Sequence, residues 1–208
     1  MCEIMTGHSD APRPRGRPRA VRPQQSLDAA MRIFWAEGYD VASIDRLCRE
    51  TGMPRASLYQ DYGGKEGLFL AAIGHYVETR IEPVADALGP RRTLEVDLSN
   101  FFGEVIALAT RDTQTLGCLI SCVLADVAGA NDIFARELDR RFSALEDRIA
   151  RRLDQEAGSY PASETRALAG MLAAIARGIM LRARSGSKAK DLLGIAHIAV
   201  RSAVRALA

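Results

Sequence analysis

No run of apolar residues in this chain approaches the roughly 18 that a membrane-spanning helix needs. Leu116 to Ala125 ends at Asp126, and the stretch after Leu168 is cut by Arg177. Ahead of Leu27 there are Pro, Arg and Gly but no apolar core of a signal peptide, so a cytoplasmic protein is expected. The cysteines Cys2, Cys48, Cys118 and Cys122 form no CxxC pair and no disulfide framework, as in a reducing compartment. No third ligand stands near Cys118 and Cys122, and His8, His75 and His197 are scattered, which excludes a zinc site and leaves no cofactor to expect. GxSxG, HExxH and GxGxxG are all missing. Gly63-Gly64-Lys65-Glu66 has neither the spacing of a P-loop nor the Ser or Thr after its Lys. With no visible catalytic residue, an enzyme is not expected.

What is there is a globular balance, 48% hydrophobic and 26% charged over 208 residues, with a formal net charge of only +2. The charge is unevenly placed. Arg13, Arg15, Arg17, Arg19 and Arg22 fall between Asp10 and Asp28 with no acid among them. Residues 1–23 also carry Pro12, Pro14, Pro18 and Pro23, so they read as an arm in which no helix persists. From Gln24 the pattern turns helical: Leu27, Ala30, Met31 and Phe34 share a face, and Gly38 stops the run. Ser43 suits the cap of a second helix that turns Ile44, Leu47 and Cys48 inward and ends at Gly52. After the turn Gly52-Met53-Pro54 comes a short third helix to about Tyr62, with Leu58 inward and Arg55, Ser57, Tyr59 and Gln60 outward. A fourth, from Lys65 to about Ile81, links the halves, and Pro83 is expected to end it.

The rest divides into amphipathic segments near 93–111, 116–129, 132–156, 162–185 and 188–206, with no strand alternation between them. An all-α protein follows: a three-helix unit over 24–64, a linking helix over 65–82 and a helical bundle over 83–208. In the penultimate helix Ala167, Gly170, Ala174 and Gly178 make a small-residue stripe beside Leu168, Met171, Leu172, Ile175 and Ile179. The last carries Leu192, Ala196, Ala199 and Ala203 on one side, with Leu193 and Val200 nearby. These two helices are expected to join a second copy of the chain as a two-fold homodimer.

The stretch from Ser43 to Tyr59 has the spacing of a helix-turn-helix: Cys48 where the helices cross, Gly52 in the turn, and Ile44, Leu47, Met53 and Leu58 pinning the second helix so that its N-terminal end can enter a major groove. With the helix before it and the following Tyr59-Gln60-Asp61-Tyr62-Gly63-Gly64-Lys65-Glu66-Gly67-Leu68-Phe69, it resembles the tetracycline-repressor (TetR/AcrR) family over about residues 24–75. The resemblance implies a homodimeric regulator that binds double-stranded DNA at inverted half-sites and lets go when a small molecule fills the C-terminal bundle. It also implies phosphate contacts at Ser43, Ser57, Tyr59 and Lys65 and base contacts at Arg55 and Ala56. The chemistry agrees, because hydroxyls and helix N-termini suit phosphates and Arg can bind guanine bidentately. Two positions depart from the family: Asp61 stands where His is common, and Gly64 where a Ser or Thr caps the fourth helix. Arg15, Arg17 and Arg19 resemble minor-groove hooks.

Phe101, Phe102, Val105, Leu119, Cys122, Phe134, Met171 and Ile175 lie on faces that should meet inside the bundle, and they are the candidate walls of an effector pocket. The scarcity of charge on these faces points to a small hydrophobic effector. Two alternatives stay open. Cys118, just after Gly117 and one turn before Cys122, suits an oxidant or electrophile sensor if its thiol sits at a helix N-terminus. An effector-free architectural protein would instead show a closed, fully packed core.

Overall fold

The computed structural model describes residues 23–158 and 160–207, and among these all regular structure is helical. The arm, with Arg15, Arg17 and Arg19, lies outside the described residues. Helix α1 (Pro23–Glu37) takes in Pro23, the last proline assigned above to the arm. Its buried face, Ala30, Met31, Ile33 and Phe34, packs on α2 (Ile44–Thr51) and α4 (Lys65–Tyr76). Ser43 caps α2 as its residue type predicts, accepting from the Arg46 N–H at 3.2 Å. Gly52 closes α2 at φ 67°, a left-handed conformation that a Cβ would disfavour. Buried Thr51 ties the turn together. Its hydroxyl donates to the Leu47 carbonyl at 2.7 Å and accepts from the Met53 N–H, while Ser26 of α1 donates to the Thr51 carbonyl. Helix α3 (Arg55–Tyr62) then buries Leu58 and leaves most of its length in solvent.

Pro83 does not end the linking helix. The chain passes from α4 through a widened π turn, Val77–Ile81, into α5 (Glu82–Asp86), giving one continuous rod. The physical reason is local: Pro83 falls in the first turn of α5, where a missing N–H is tolerated. The Arg80 guanidinium donates to the Thr79 carbonyl, four residues before Pro83, at 3.3 Å.

The bundle contains α6 (Leu94–Thr110), α8 (Asp132–Asp154), α9 (Ala162–Arg184) and α10 (Ala189–Leu207), with α9 packed on α6, α8 and α10. The segment expected as a helix from 116 starts later. Cys118 is extended (φ −137°), and helix begins at Leu119 as a second π turn, Leu119–Leu124, running into α7 (Ala125–Ala128). Gly117 causes the delay: the chain there runs so close to α9 that a Cβ would fall 2.8 Å from the Met180 carbonyl.

The two halves share one core. Tyr39, Phe69 and Phe134 form an aromatic cluster, with ring centroids 5.0–5.3 Å apart, joining the loop after α1 to α4 and α8. Arg184 of α9 donates to the Trp35 carbonyl of α1 at 2.9 Å. Leu192, Ala196, Ala199 and Ala203, read above as the face for a second copy, instead lie buried, because α10 needs its widest apolar stripe for α6 and α9. The outer faces hold other residues. Met171, Leu181, Leu193, Ile195 and Ile198 of α9 and α10 are exposed large apolar side chains.

Candidate nucleic-acid interface and sensor cavity

Arg55 and Ala56 stand exposed in the first turn of α3, and Tyr59 (47% exposed) and Gln60 follow on its open side. Arg55 is held by an ion pair to Asp45 in the first turn of α2, at 2.7 Å. Both partners are well exposed, so the pair is worth little to stability and can open. Its effect is orientation: the guanidinium is parked at the mouth of the helix-turn-helix. Ser57 is half-buried, and the exposed Ser43 hydroxyl is occupied as a cap.

Lys65 opens α4 beside these residues. Its Nζ lies 4.5 Å from the centroid of the Tyr39 ring and donates to the Asp40 carbonyl at 3.2 Å. Partial burial lowers the Lys65 pKa against the opposing pull of Asp40. Gly64, as the departure noted above implies, gives α4 no side-chain cap. A Cβ there would lie 3.6 Å from the Tyr59 ring, so Gly64, Tyr59 and Lys65 form one patch at the turn from α3 to α4. Asp61 is exposed on the same short helix, and Tyr62 packs against the core. Tyr39, the aromatic that seats Lys65, went unnoticed in the sequence because a lone Tyr after a Gly-ended helix carries no periodic signal.

Arg55→Ala should change base preference at one position of a bound site by about 1–3 kcal/mol. Lys65→Ala should weaken all DNA sequences alike and flatten the salt dependence by about one counterion. Binding isotherms on matched and scrambled duplexes across a salt series check both. An unchanged preference would remove Arg55 from base reading.

A half-open cavity of about 70 Å³ lies between the rod, α6, α8 and α9. Phe101 and Val105, both expected here, line it with Ile81, Val84 and Met180. The other expected walls sit elsewhere. Phe134 belongs to the aromatic cluster, Phe102 pairs with Phe101 behind the wall, Leu119 is in the closed core, Ile175 packs half-buried beside that core, and Met171 is exposed on the outer face. Cys122 is pressed against Gly117, and burial raises its thiol pKa.

Cys118 lines the cavity, but as a buried thiol that accepts a hydrogen bond from the Tyr76 hydroxyl at 3.3 Å. The cavity is not purely apolar either. Arg141 and Arg177 are in its wall. Arg177 stacks on Phe142, 3.9 Å from the ring centroid, and pairs with Glu146 at 2.7 Å, while its Nε is buried with no acceptor. Both arginines escaped the sequence reading because each is one charge among many on a long helix. No group of side chains suited to a metal occurs among the described residues.

Against known proteins, residues 27–72 match the model of bacterial regulatory proteins of the tetR family. Over nearly its whole length the chain is similar to two Escherichia coli K12 proteins. One is the HTH-type transcriptional repressor ComR, 27% identical over 90% of this chain and 91% of that one. The other is the HTH-type transcriptional repressor BdcR, 29% identical over 88% and 90%. Among solved structures, a cysteine-substituted form of the transcriptional regulator CifR in complex with 26-base-pair double-strand operator DNA superposes with a TM-score of 0.75. It is 26% identical, over 89% of this chain and 98% of that one. SCO4454 from Streptomyces coelicolor, 21% identical, shares the fold with a TM-score of 0.75.

Proposed function

Because this chain belongs to the tetR family of bacterial regulatory proteins and is a DNA-binding transcriptional regulator, we propose that it is a repressor released by a small molecule and bound as a homodimer to an inverted-repeat operator. One observation carries the reading. The rod from Lys65 to Asp86 has its first turn in the patch beside α3 and its last turns, Ile81, Val84 and Ala85, in the cavity wall.

At about 70 Å³ the cavity is far below the roughly 300 Å³ and upward of ordinary ligand sites. A ligand has to push the rod outward to enter, and that displacement moves the base of α3. The coupling is thermodynamic: a ligand that binds only the widened state shifts the protein away from the DNA-competent one. Arg177 and Arg141 refine the expected chemistry. An apolar body with an acceptor or anionic end fits better than the plain hydrophobe expected from the sequence, since a free acceptor satisfies the orphaned Nε.

The homodimer rests on the outer faces of α9 and α10. Exposed Met171, Leu181, Leu193 and Ile198 flank the small-residue stripe of Ala167, Gly170, Ala174 and Gly178, where two backbones can approach closely. A Leu193→Arg, Ile198→Arg double variant should sediment as a monomer and lose operator binding while its helical circular dichroism is kept. A variant that stays dimeric would place the interface elsewhere.

The release reading is tested by titrating the protein–operator complex with amphipathic carboxylates in a fluorescence-anisotropy assay. Dissociation by a compound that Arg177→Ala no longer recognises supports it. Wild-type affinity for that compound in the variant contradicts it.

A further inference from the structure

The two buried side-chain nitrogens left without an acceptor among the described residues are Arg177 Nε and Trp35 Nε1. Each belongs to a residue that lines a cavity, and the cavities are different. Trp35, 4% exposed, lines a cleft of about 390 Å³ between α1, the π turn and α6, outside the bundle cavity.

The cleft has a floor and a charged rim. Met31, Trp35, Val84 and Leu108 supply apolar surface, and Arg32, Arg80 and Arg111 face Glu104 and Asp112 around it. Most of these charges are already matched. Arg32 pairs with Asp28 at 3.2 Å and reaches Asp112 at 3.9 Å, and Arg80 pairs with Asp28 at 3.4 Å. Two rim charges have no ion pair or side-chain hydrogen bond among the described residues, Arg111 at the end of α6 and Glu104 two turns before it, so an anion is directed to the Arg111 end of the cleft. An unmatched guanidinium and an apolar floor that includes the Trp35 ring occur together in a volume within the range of ordinary ligand sites.

We propose that this cleft is a second ligand site, separate from the bundle cavity, for a small organic monoanion with an apolar body. Its carboxylate takes the Arg111 guanidinium in a charge-assisted hydrogen bond, and its body covers Met31, Leu108 and the edge of Trp35. Lysine would be a weaker substitute for Arg111, since it lacks the planar fork that matches a carboxylate. The site bridges α1 of the DNA-binding unit and α6 of the bundle, so an occupant bears on the angle between the two halves without entering the core.

Trp35 is the only tryptophan in the chain and lines this cleft, so its emission reports an occupant here, and the Arg177→Ala variant separates that signal from one passed on from the bundle cavity through Tyr76. The probe is 4-cyclohexylbutanoate, which does not absorb where tryptophan does, set against its neutral counterpart 4-cyclohexylbutan-1-ol. The expected result is a saturable shift of Trp35 emission with the carboxylate, weakened at least tenfold in Arg111→Ala, partly kept in Arg111→Lys, and unchanged in Arg177→Ala, which alters only the other cavity. Arg111 is exposed and unpaired, so its variants should melt like the wild type. No saturable shift, equal binding of the alcohol, or an unweakened Arg111→Ala would overturn the site.

Discussion

Arg152→Ala is expected to destabilise the protein by about 3–5 kcal/mol, the cost of stripping the partner from a buried charge. For a chain of this size that lowers the melting temperature by about 6–20 °C. Both members of the Arg152–Asp97 pair are almost fully buried, and Nε to Oδ2 is 3.0 Å. Arg152 also donates to the Arg92 carbonyl and to Glu156, and Asp97 accepts from the Arg91 and Arg92 amides. The network pins α6 and α8 to the loop that precedes α6. Burial alone would raise the Asp97 carboxyl pKa, but the two amides and the guanidinium outweigh it and hold the carboxyl below its ordinary value.

A group depressed in the folded state stabilises above its unfolded pKa, near 4, and loses that contribution as pH falls through the folded value. Wild type should therefore lose stability in acid below about pH 4, and an Asp97→Asn, Arg152→Met double variant should show a shallower acid slope. Thermal melts across pH 2–7 measure both. An Arg152→Ala melt within a degree of the wild type would mean that the pair does not support the bundle.

Gly67→Ala is the second large effect, and here folding and function part. Alanine normally favours a helix interior over glycine by about 1 kcal/mol. At Gly67 the added Cβ would sit 1.8 Å from the Tyr62 carbonyl oxygen, a backbone atom that cannot rotate away. The N-terminus of α4 has to shift off α3, at a cost of about 1–3 kcal/mol or more. The shift displaces the support of Tyr59 and Lys65, so DNA affinity should fall by more than tenfold even at temperatures where the variant is fully folded. Gly103→Ala is the matched control. It is a helical glycine with nothing within 4 Å of an added Cβ, so the same substitution there should raise stability and leave DNA binding alone. A Gly67→Ala protein with wild-type affinity would show that α4 can yield without disturbing α3.

These two sites also mark what could be seen in the sequence. The helix-turn-helix was legible because its steric rules are local: a cap at Ser43, a turn at Gly52 and a pinned Leu58 all fall within one short window. Helices from 93 onward were legible as amphipathic runs. Local departures were not, since the chain runs on past Pro83 through a π turn at Val77–Ile81, and the late start at Leu119 depends on Gly117 meeting α9. Periodicity carries no trace of either.

The cavity residues divide in the same way. Phe101 and Val105 were found as apolar residues on a helix face that meets the cavity, whereas Arg141 and Arg177 contribute through burial of charges that a sequence shows as ordinary surface. The apolar side of α10 that suggested a partner chain, Leu192, Ala196, Ala199 and Ala203, serves α6 and α9 of the same chain, and periodicity alone does not separate an internal neighbour from a second copy.

The central claim is that α3 reads DNA as one of two symmetric copies. Selection of bound duplexes from a random-sequence pool, followed by footprinting of the winner, tests it most directly. The expected result is a single enriched inverted repeat whose half-sites lie about 34–36 Å apart, one helical turn, or a whole multiple of it, with the base preference relaxed at one position of each half-site in Arg55→Ala. Enrichment of an unsymmetrical site, or no enrichment over the starting pool, would contradict it.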